Sequence, residues 1–317
     1  MSKPELAVSI SSGSCIDTNF KRPDNILWPP HATQATATRI IHAAQELALI
    51  FDLPISASLM MARVHHLPEL QSQLKQHQLP IDSYDIPLVE TDLGLLDKLG
   101  HNLLKLDLKT SFNDVGWSAL NVPSKQALAS KLQHVVPSIN PIIFRVNYQN
   151  WIGSHGAFLR QQLRPHQQNI IYAIEPHDQL KPSEYIEKVI WWKLQGYPVG
   201  FDFDTGHIAK SQQYTNPQET PNPLSVYDTI LSHSVLSQLL VLTSLNPFNP
   251  DETQTHQDFF SSAINYSQFT SLLGKRARQS TLAFIPTILL EFHPREYKSV
   301  LGNKTEFSKI KSAFDSE

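Results

Sequence analysis

The sequence predicts a single parallel (β/α)8 barrel, on three observations. Short apolar runs of strand type alternate with helical runs along most of the chain. Eight such units can be read, the number that closes a parallel sheet on itself. No shift in composition divides the 317 residues, so 1–317 is taken as one domain. An open α/β sheet is the alternative architecture.

The elements follow in order. Leu6–Ser11 is the first strand, and a polar, Pro-rich stretch through Trp28, Pro29 and Pro30 leads to a helix. In that helix Ile40, Ile41, Ala44, Leu47, Ala48 and Phe51 recur at the 3.6-residue period. Ile55–Met60 is the second strand and Leu67–Leu79 its helix. Leu103–Leu108 is taken as the third strand, with a helix after Pro123, and Ile86–Val89 as an extra short strand before it. Ile142–Val146 is the fourth strand, followed by a helix around Phe158–Leu163. Ile170–Glu175 is the fifth, and its helix runs from Pro182 to Gln195, with Pro opening it and Gly196 ending it. Val199–Asp204 is the sixth, with a Pro/Asn/Gln loop before a helix at Leu224–Leu236. Leu239–Thr243 is the seventh, with a helix at Phe259–Leu273, and Ile288–Phe292 the eighth, with a closing helix at Phe307–Phe314.

Composition excludes several classes. Hydrophobic residues make up 41% and charged residues 17%, enough apolar material for a large core and too little charge for a disordered chain. The net charge of -3 argues against a nucleic-acid partner held by bulk electrostatics. No apolar run reaches the ~18 residues of a membrane span. Met1–Ile10 lacks the features of a secretory signal, so a cytoplasmic protein is expected. A lone Cys15 rules out internal disulfides and thiolate metal clusters. The P-loop, the G-x-G-x-x-G fingerprint and the G-x-S-x-G elbow are missing from the sequence.

In a parallel barrel the site lies at the carboxyl ends of the strands. The fifth strand ends in Glu175, followed by His177 and Asp178. The sixth ends in F-D-F-D-T-G-H, where Asp202 and Asp204 share one face and Phe201 and Phe203 the other. The eighth ends near Glu291. A carboxylate that ends an apolar run is paired, protonated or bound to a cation. Singly, each is more often a loop anchor. Together they suggest a hard-cation site of oxygen and nitrogen ligands.

A strand ending in Glu, then one ending D-T-x-H, then a last strand ending in Glu resembles the xylose isomerase-like barrel superfamily, which includes sugar epimerases and endonuclease IV. The resemblance covers roughly Leu6–Pro294 by strand order and rests on Glu175, Asp204–His207 and Glu291. It implies that Glu175, Asp204 and Glu291 ligate a divalent metal (Mn, Mg, Zn or Co). It also implies that Glu175 and Glu291 pass protons to and from a sugar carbon, and that His207 contacts substrate or metal. The substrate is then a small sugar or polyol of carbohydrate metabolism, and a homo-oligomer is compatible with it. His256 matches a second-cluster metal ligand of the endonuclease branch. Asn246, Asp107 and Trp28 are the remaining substrate-binding candidates, and Trp117 and Trp151 are further candidates for an apolar wall.

The sequence departs from the family where its seventh strand carries a metal-ligating His: here Ser244 or Asn246 stands at that place. Ser and Asn bind Zn²⁺ or Mn²⁺ more weakly than imidazole. Two functions follow. The first is a metal-assisted isomerase or epimerase that moves a proton next to a carbonyl. The second is a catalytically altered barrel acting as a binding or accessory protein. A phosphodiesterase of the endonuclease kind ranks below both. An arginine between Glu175 and Glu291, from Arg145 or Arg295, would fill the metal's place with fixed charge and favour the binding protein.

Overall fold

The computed structural model describes residues 5–15, 30–60, 67–85, 142–152, 170–250, 259–279, 282 and 285–316. Their strands are β1 (Val8–Ser11), β2 (Ile55–Met60), β3 (Ile81–Asp85), β4 (Ile142–Asn147), β5 (Ile170–Glu175), β6 (Val199–Asp204), β7 (Leu240–Leu245) and β8 (Thr287–Leu290). All neighbours are parallel, and β1 pairs with both β2 and β8, so the sheet closes into a barrel in chain order.

The expected third strand is corrected. The place between β2 and β4 belongs to Ile81–Asp85, in register with Ala57–Met60 on one side and with Ile143–Arg145 on the other. Its sequence, I-D-S-Y-D, is half polar because it lines a polar interior, and the more apolar Leu103–Leu108 therefore looked the better strand. Leu103–Leu108, Ile86–Val89 and the helices expected after Pro123 and at Phe158–Leu163 lie outside the described residues.

The helices are α1 (Pro30–Phe51), α2 (Leu67–Gln76), α3 (Tyr148–Ile152), α4 (Pro182–Leu194), α5 (Thr205–Thr215), α6 (Pro223–Ser232), α7 (Tyr266–Arg278), α8 (Tyr297–Gly302) and α9 (Lys304–Asp315). Pro182 opens α4, and Gly196, at φ 83°, ends it in the left-handed region that glycine enters without strain. α5 replaces most of the expected loop after β6. Its apolar signal is thin, because buried Ile208 and Ala209 stand among Ser, Gln and Thr. α7 starts at Tyr266 rather than Phe259: Phe259 lies in the preceding turn and stacks on Tyr266 with ring centroids 4.6 Å apart.

Strand residues alternate between two environments. Val8, Ile10, Ile174, Phe201, Phe203, Ile288 and Leu290 face outward into one apolar core shared with the helices. The inward residues are mostly polar. Ser9 on β1 and Ser56 on β2 both donate to Asp82 on β3, at 3.0 and 2.9 Å, a contact between non-adjacent strands that only the interior allows. The apolar part of the interior is small: Ala173, Val241 and Leu242, with Ile143 and Ile171 against them, and Leu289 level with Ser9 and Ser244. No described helix is long and apolar enough to cross a membrane.

Candidate functional site

The carboxyl-end mouth is organised around Arg145. Its backbone on β4 lies level with Ala173, one inward position below Glu175, so its long side chain rises along the axis into the mouth. Nε donates to Asp202 Oδ2 at 2.6 Å. Nη1 and Nη2 donate to the two oxygens of Glu291 at 2.8 and 2.9 Å, a bidentate pair. Nη2 also lies 3.3 Å from Glu175 Oε1 and 3.4 Å from Ser244 Oγ. Only 3% of the Arg145 side chain and 6% of that of Glu291 reach solvent. Ser244 completes this layer by donating to Asp202 Oδ1 at 2.7 Å.

Above it, β6 hands the chain to α5. Asp204 caps that helix, its Oδ1 accepting from the His207 backbone N–H at 2.7 Å. Asn246 Nδ2 donates to Asp204 Oδ2 at 3.0 Å. The turn is tight: a Cβ on Gly206 would stand 2.9 Å from the Pro247 carbonyl oxygen, so glycine lets α5 begin against the end of β7. The His207 ring reaches two carboxylates. Nδ1 lies 2.5 Å from Asp178 Oδ1, and Nε2 lies 3.6 Å from Glu175 Oε1.

The two glutamates differ sharply. Glu291 is locked under the guanidinium. Glu175 has only long contacts, 3.3 Å from Arg145 and 3.4 Å from Asn147 Nδ2, and 18% of its side chain is exposed. Burial raises the pKa of Glu175, against the His207 and Arg145 charges, with Asp202 and Glu291 adding to the rise. Burial likewise raises Asp204 to about 7. For His207 burial acts downward, but the Asp204 charge, the Asp178 hydrogen bond and the Glu175 charge outweigh it and raise the ring to about 10. The surrounding carboxylates thus favour the protonated form of the ring. Burial would raise Asp178, and its hydrogen bond to His207 overcomes that and holds it low.

The expected residues thus divide. Glu175, Asp204 and His207 converge, each offering a ligand atom within 4.8 Å of the others. Glu291 and Asn246 join the same mouth as buried groups. Asp107, Trp28, His256 and Trp117 lie outside the described residues. Trp151 does not wall the mouth; it packs on the outer side of the barrel against Tyr172 and Trp192, at 5.2 and 5.7 Å between ring centroids. Arg295 is exposed in a turn after β8, so Arg145 alone of the two expected arginines reaches the carboxylates. Asp178 was missed, because nothing in a sequence brings the loop after β5 to a histidine 29 positions away.

The four-ligand metal site that the resemblance implies does not fit these residues. A guanidinium takes both oxygens of Glu291, and Ser244 is spent on Asp202.

No protein-family model matches the chain, and no curated protein sequence matches it. Among solved structures it is similar to the apo form of YcjR, a 3-keto-D-glucoside 4-epimerase from E. coli. The TM-score is 0.50 at 9% identity, over 98% of this chain and 100% of that one. This is a likeness of fold alone, the closed (β/α)8 barrel.

Proposed function

We propose that the chain is a sugar- or polyol-binding barrel in which Arg145 replaces the divalent metal of an isomerase-type site. One observation carries this: the Arg145 guanidinium spans Asp202, Glu291 and Glu175, holding Glu291 by both oxygens. Fixed charge at that place favours binding over metal chemistry, because each carboxylate it satisfies is withdrawn from an ion. The sugar class is favoured by Glu175 and His207 above the arginine, each with 18% of its side chain exposed. Glu175 accepts hydrogen bonds, and the imidazolium Nε2–H of His207 donates one beside it. An acceptor and a donor side by side suit neighbouring hydroxyl groups, and the epimerase likeness of fold points to the same ligand class.

The test is titration of the full chain with five- and six-carbon sugars and polyols, read by calorimetry and by ring signals of His207. Binding that disappears in Glu175→Gln supports the reading. Lack of binding across the panel refutes it.

A second reading, a metal-assisted isomerase or epimerase, is favoured by the 4.8 Å cluster of Glu175, Asp204 and His207. An ion there would have to displace the proton on His207, so its affinity would rise steeply with pH. Stoichiometric metal binding with that pH dependence would select this reading.

A further inference from the structure

We propose that the ligand of this mouth carries a protonated amine: the chain binds an amino sugar or amino polyol, its ammonium group held by Glu175 and the side-chain carbonyl of Asn246. This rests on the reading that the mouth takes a sugar, and it names which sugars. The charge balance of the mouth, the loose hold on Glu175 and a buried acceptor on Asn246 lead there together.

Among the described residues five carboxylates gather at the mouth: Glu175, Asp178, Asp202, Asp204 and Glu291. Three cationic side chains answer them, Arg145, His207 and Lys210, and each already faces a carboxylate. Carboxylates stay in excess whether or not His207 carries a proton. A phosphate or carboxylate on the ligand would have to draw one of these cations from its partner, so acidic sugars are disfavoured. A cationic group enters with the field.

Glu175 is where that group is received. Arg145 holds Asp202 at 2.6 Å and Glu291 at 2.8 and 2.9 Å. The contacts of Glu175 to Arg145, Asn147 and His207 run to 3.3, 3.4 and 3.6 Å, beyond the usual N–H···O range. Asn246 supplies the second acceptor. It is wholly buried, and its Nδ2 donates to Asp204 Oδ2 at 3.0 Å. An ionised carboxylate only accepts, so this bond orients the amide and leaves the carbonyl oxygen over. That oxygen, Oδ1, is buried and has no hydrogen-bond partner among the described residues, although buried polar groups are paired as a rule. Asp204 ties the carboxamide to the cluster, because its own oxygen lies within 4.8 Å of ligand atoms of Glu175 and His207.

Acceptors on the protein call for donors on the ligand. An ammonium donates three hydrogen bonds and accepts none, whereas a hydroxyl donates one. A divalent ion is attracted too, but the Arg145 guanidinium, 3.3 Å from the same glutamate, repels a dication more than a monocation. A hydroxyl on the carbon next to the amine would face His207 Nε2, 3.6 Å from Glu175 Oε1, and it suits that nitrogen in either protonation state. Vicinal amino alcohols, such as 2-amino-2-deoxy sugars, carry this pair of groups.

Calorimetry on the full chain tests the proposal with glucosamine and glucamine beside their neutral parents glucose and sorbitol, N-acetylglucosamine and gluconate. The amines should bind about tenfold tighter than their parents or better, the gain of a charge-assisted hydrogen bond over a neutral one. N-acetylation should remove that gain, and gluconate should bind weakest. The advantage should fade as pH rises through the ligand amine's own pKa, with the neutral parents as the control for titration of the protein. In Glu175→Gln, checked for folding by circular dichroism, the amines should bind no better than their parents, and Asn246→Ala should narrow the gap. Equal affinity for amines and parents, tighter binding of gluconate, or an amine advantage unchanged in both variants overturns the proposal and leaves the sugar-binding reading standing. Lack of binding across the whole panel refutes that reading and this one with it.

Discussion

On β6, Phe201 and Phe203 face the helices while Asp202 and Asp204 face the axis, and this alternation separates two regions held together by different physics. Outside, Phe203 packs on Tyr227 and Phe269 with ring centroids 4.8 and 6.1 Å apart, and Phe201 on Tyr185 at 5.5 Å. Such contacts are additive, insensitive to pH and tolerant of exchange among apolar residues. Inside, Asp202, Arg145, Glu291 and Ser244 are joined in a buried polar network by mutual hydrogen bonds. Buried charge of that kind adds little net stability as a set, but losing one member leaves the others unpaired. The outer wall makes the barrel stable, and the inner wall makes its mouth specific.

The largest expected effects compare one residue from each wall. Arg145→Met should destabilise the chain by about 3–5 kcal/mol, because three carboxylates lose their shared cation. Phe203→Ala should cost about 3–5 kcal/mol by opening a cavity. Urea unfolding across pH separates the causes: the arginine cost should shrink in acid, where the carboxylates take up protons, and the phenylalanine cost should stay constant. Equal pH profiles for the two would break the comparison.

A smaller loss, about 1–3 kcal/mol, is expected for Gly274→Ala in the outer layer, where a methyl group would overlap the Phe314 carbonyl oxygen between α7 and α9. Ser244→Ala should cost about 1–2 kcal/mol by taking one hydrogen bond from Asp202. His207 gives the subtlest effect. Its folded pKa of about 10 lies above the ordinary histidine value of 6.5. Its stabilisation is therefore complete below pH 6.5 and lost as pH rises through 10. Melting temperature should fall across that window, and less so in His207→Gln.

The outer wall was readable in the sequence because its rule is periodic. Apolar alternation placed seven of the strand positions, and Pro182 with Gly196 framed α4. Where the inner wall governs, periodicity misled: I-D-S-Y-D is a strand whose polar side faces a polar interior, and it lost to the more apolar L-L-K-L-D-L. The mouth was readable in part. Glu175 and Asp204 announce themselves by ending strands, Glu291 by following β8 directly and His207 by opening the helix after β6. Of their partners, Arg145 was expected by strand order as one of two arginines beside Glu175 and Glu291, and the choice between the two was not legible, because pairing across the barrel depends on side-chain length and height. Arg145 begins level with Ala173 and finishes at Glu291, 146 positions away in sequence.

The central claim is that Arg145 fills the place of the metal, and metal binding to wild type beside Arg145→Met tests it most directly. Both proteins are stripped, titrated with Mn²⁺ and Zn²⁺ by calorimetry at neutral pH, and assayed for bound metal after desalting. Wild type should hold well under one ion per chain, and Ser244→His should not change that, because the carboxylates remain on the guanidinium. Arg145→Met, if it stays folded by circular dichroism, should gain an ion held by Glu175, Glu291 and their aspartate neighbours. A stoichiometric ion in wild type, bound as tightly as in Arg145→Met, would contradict the account.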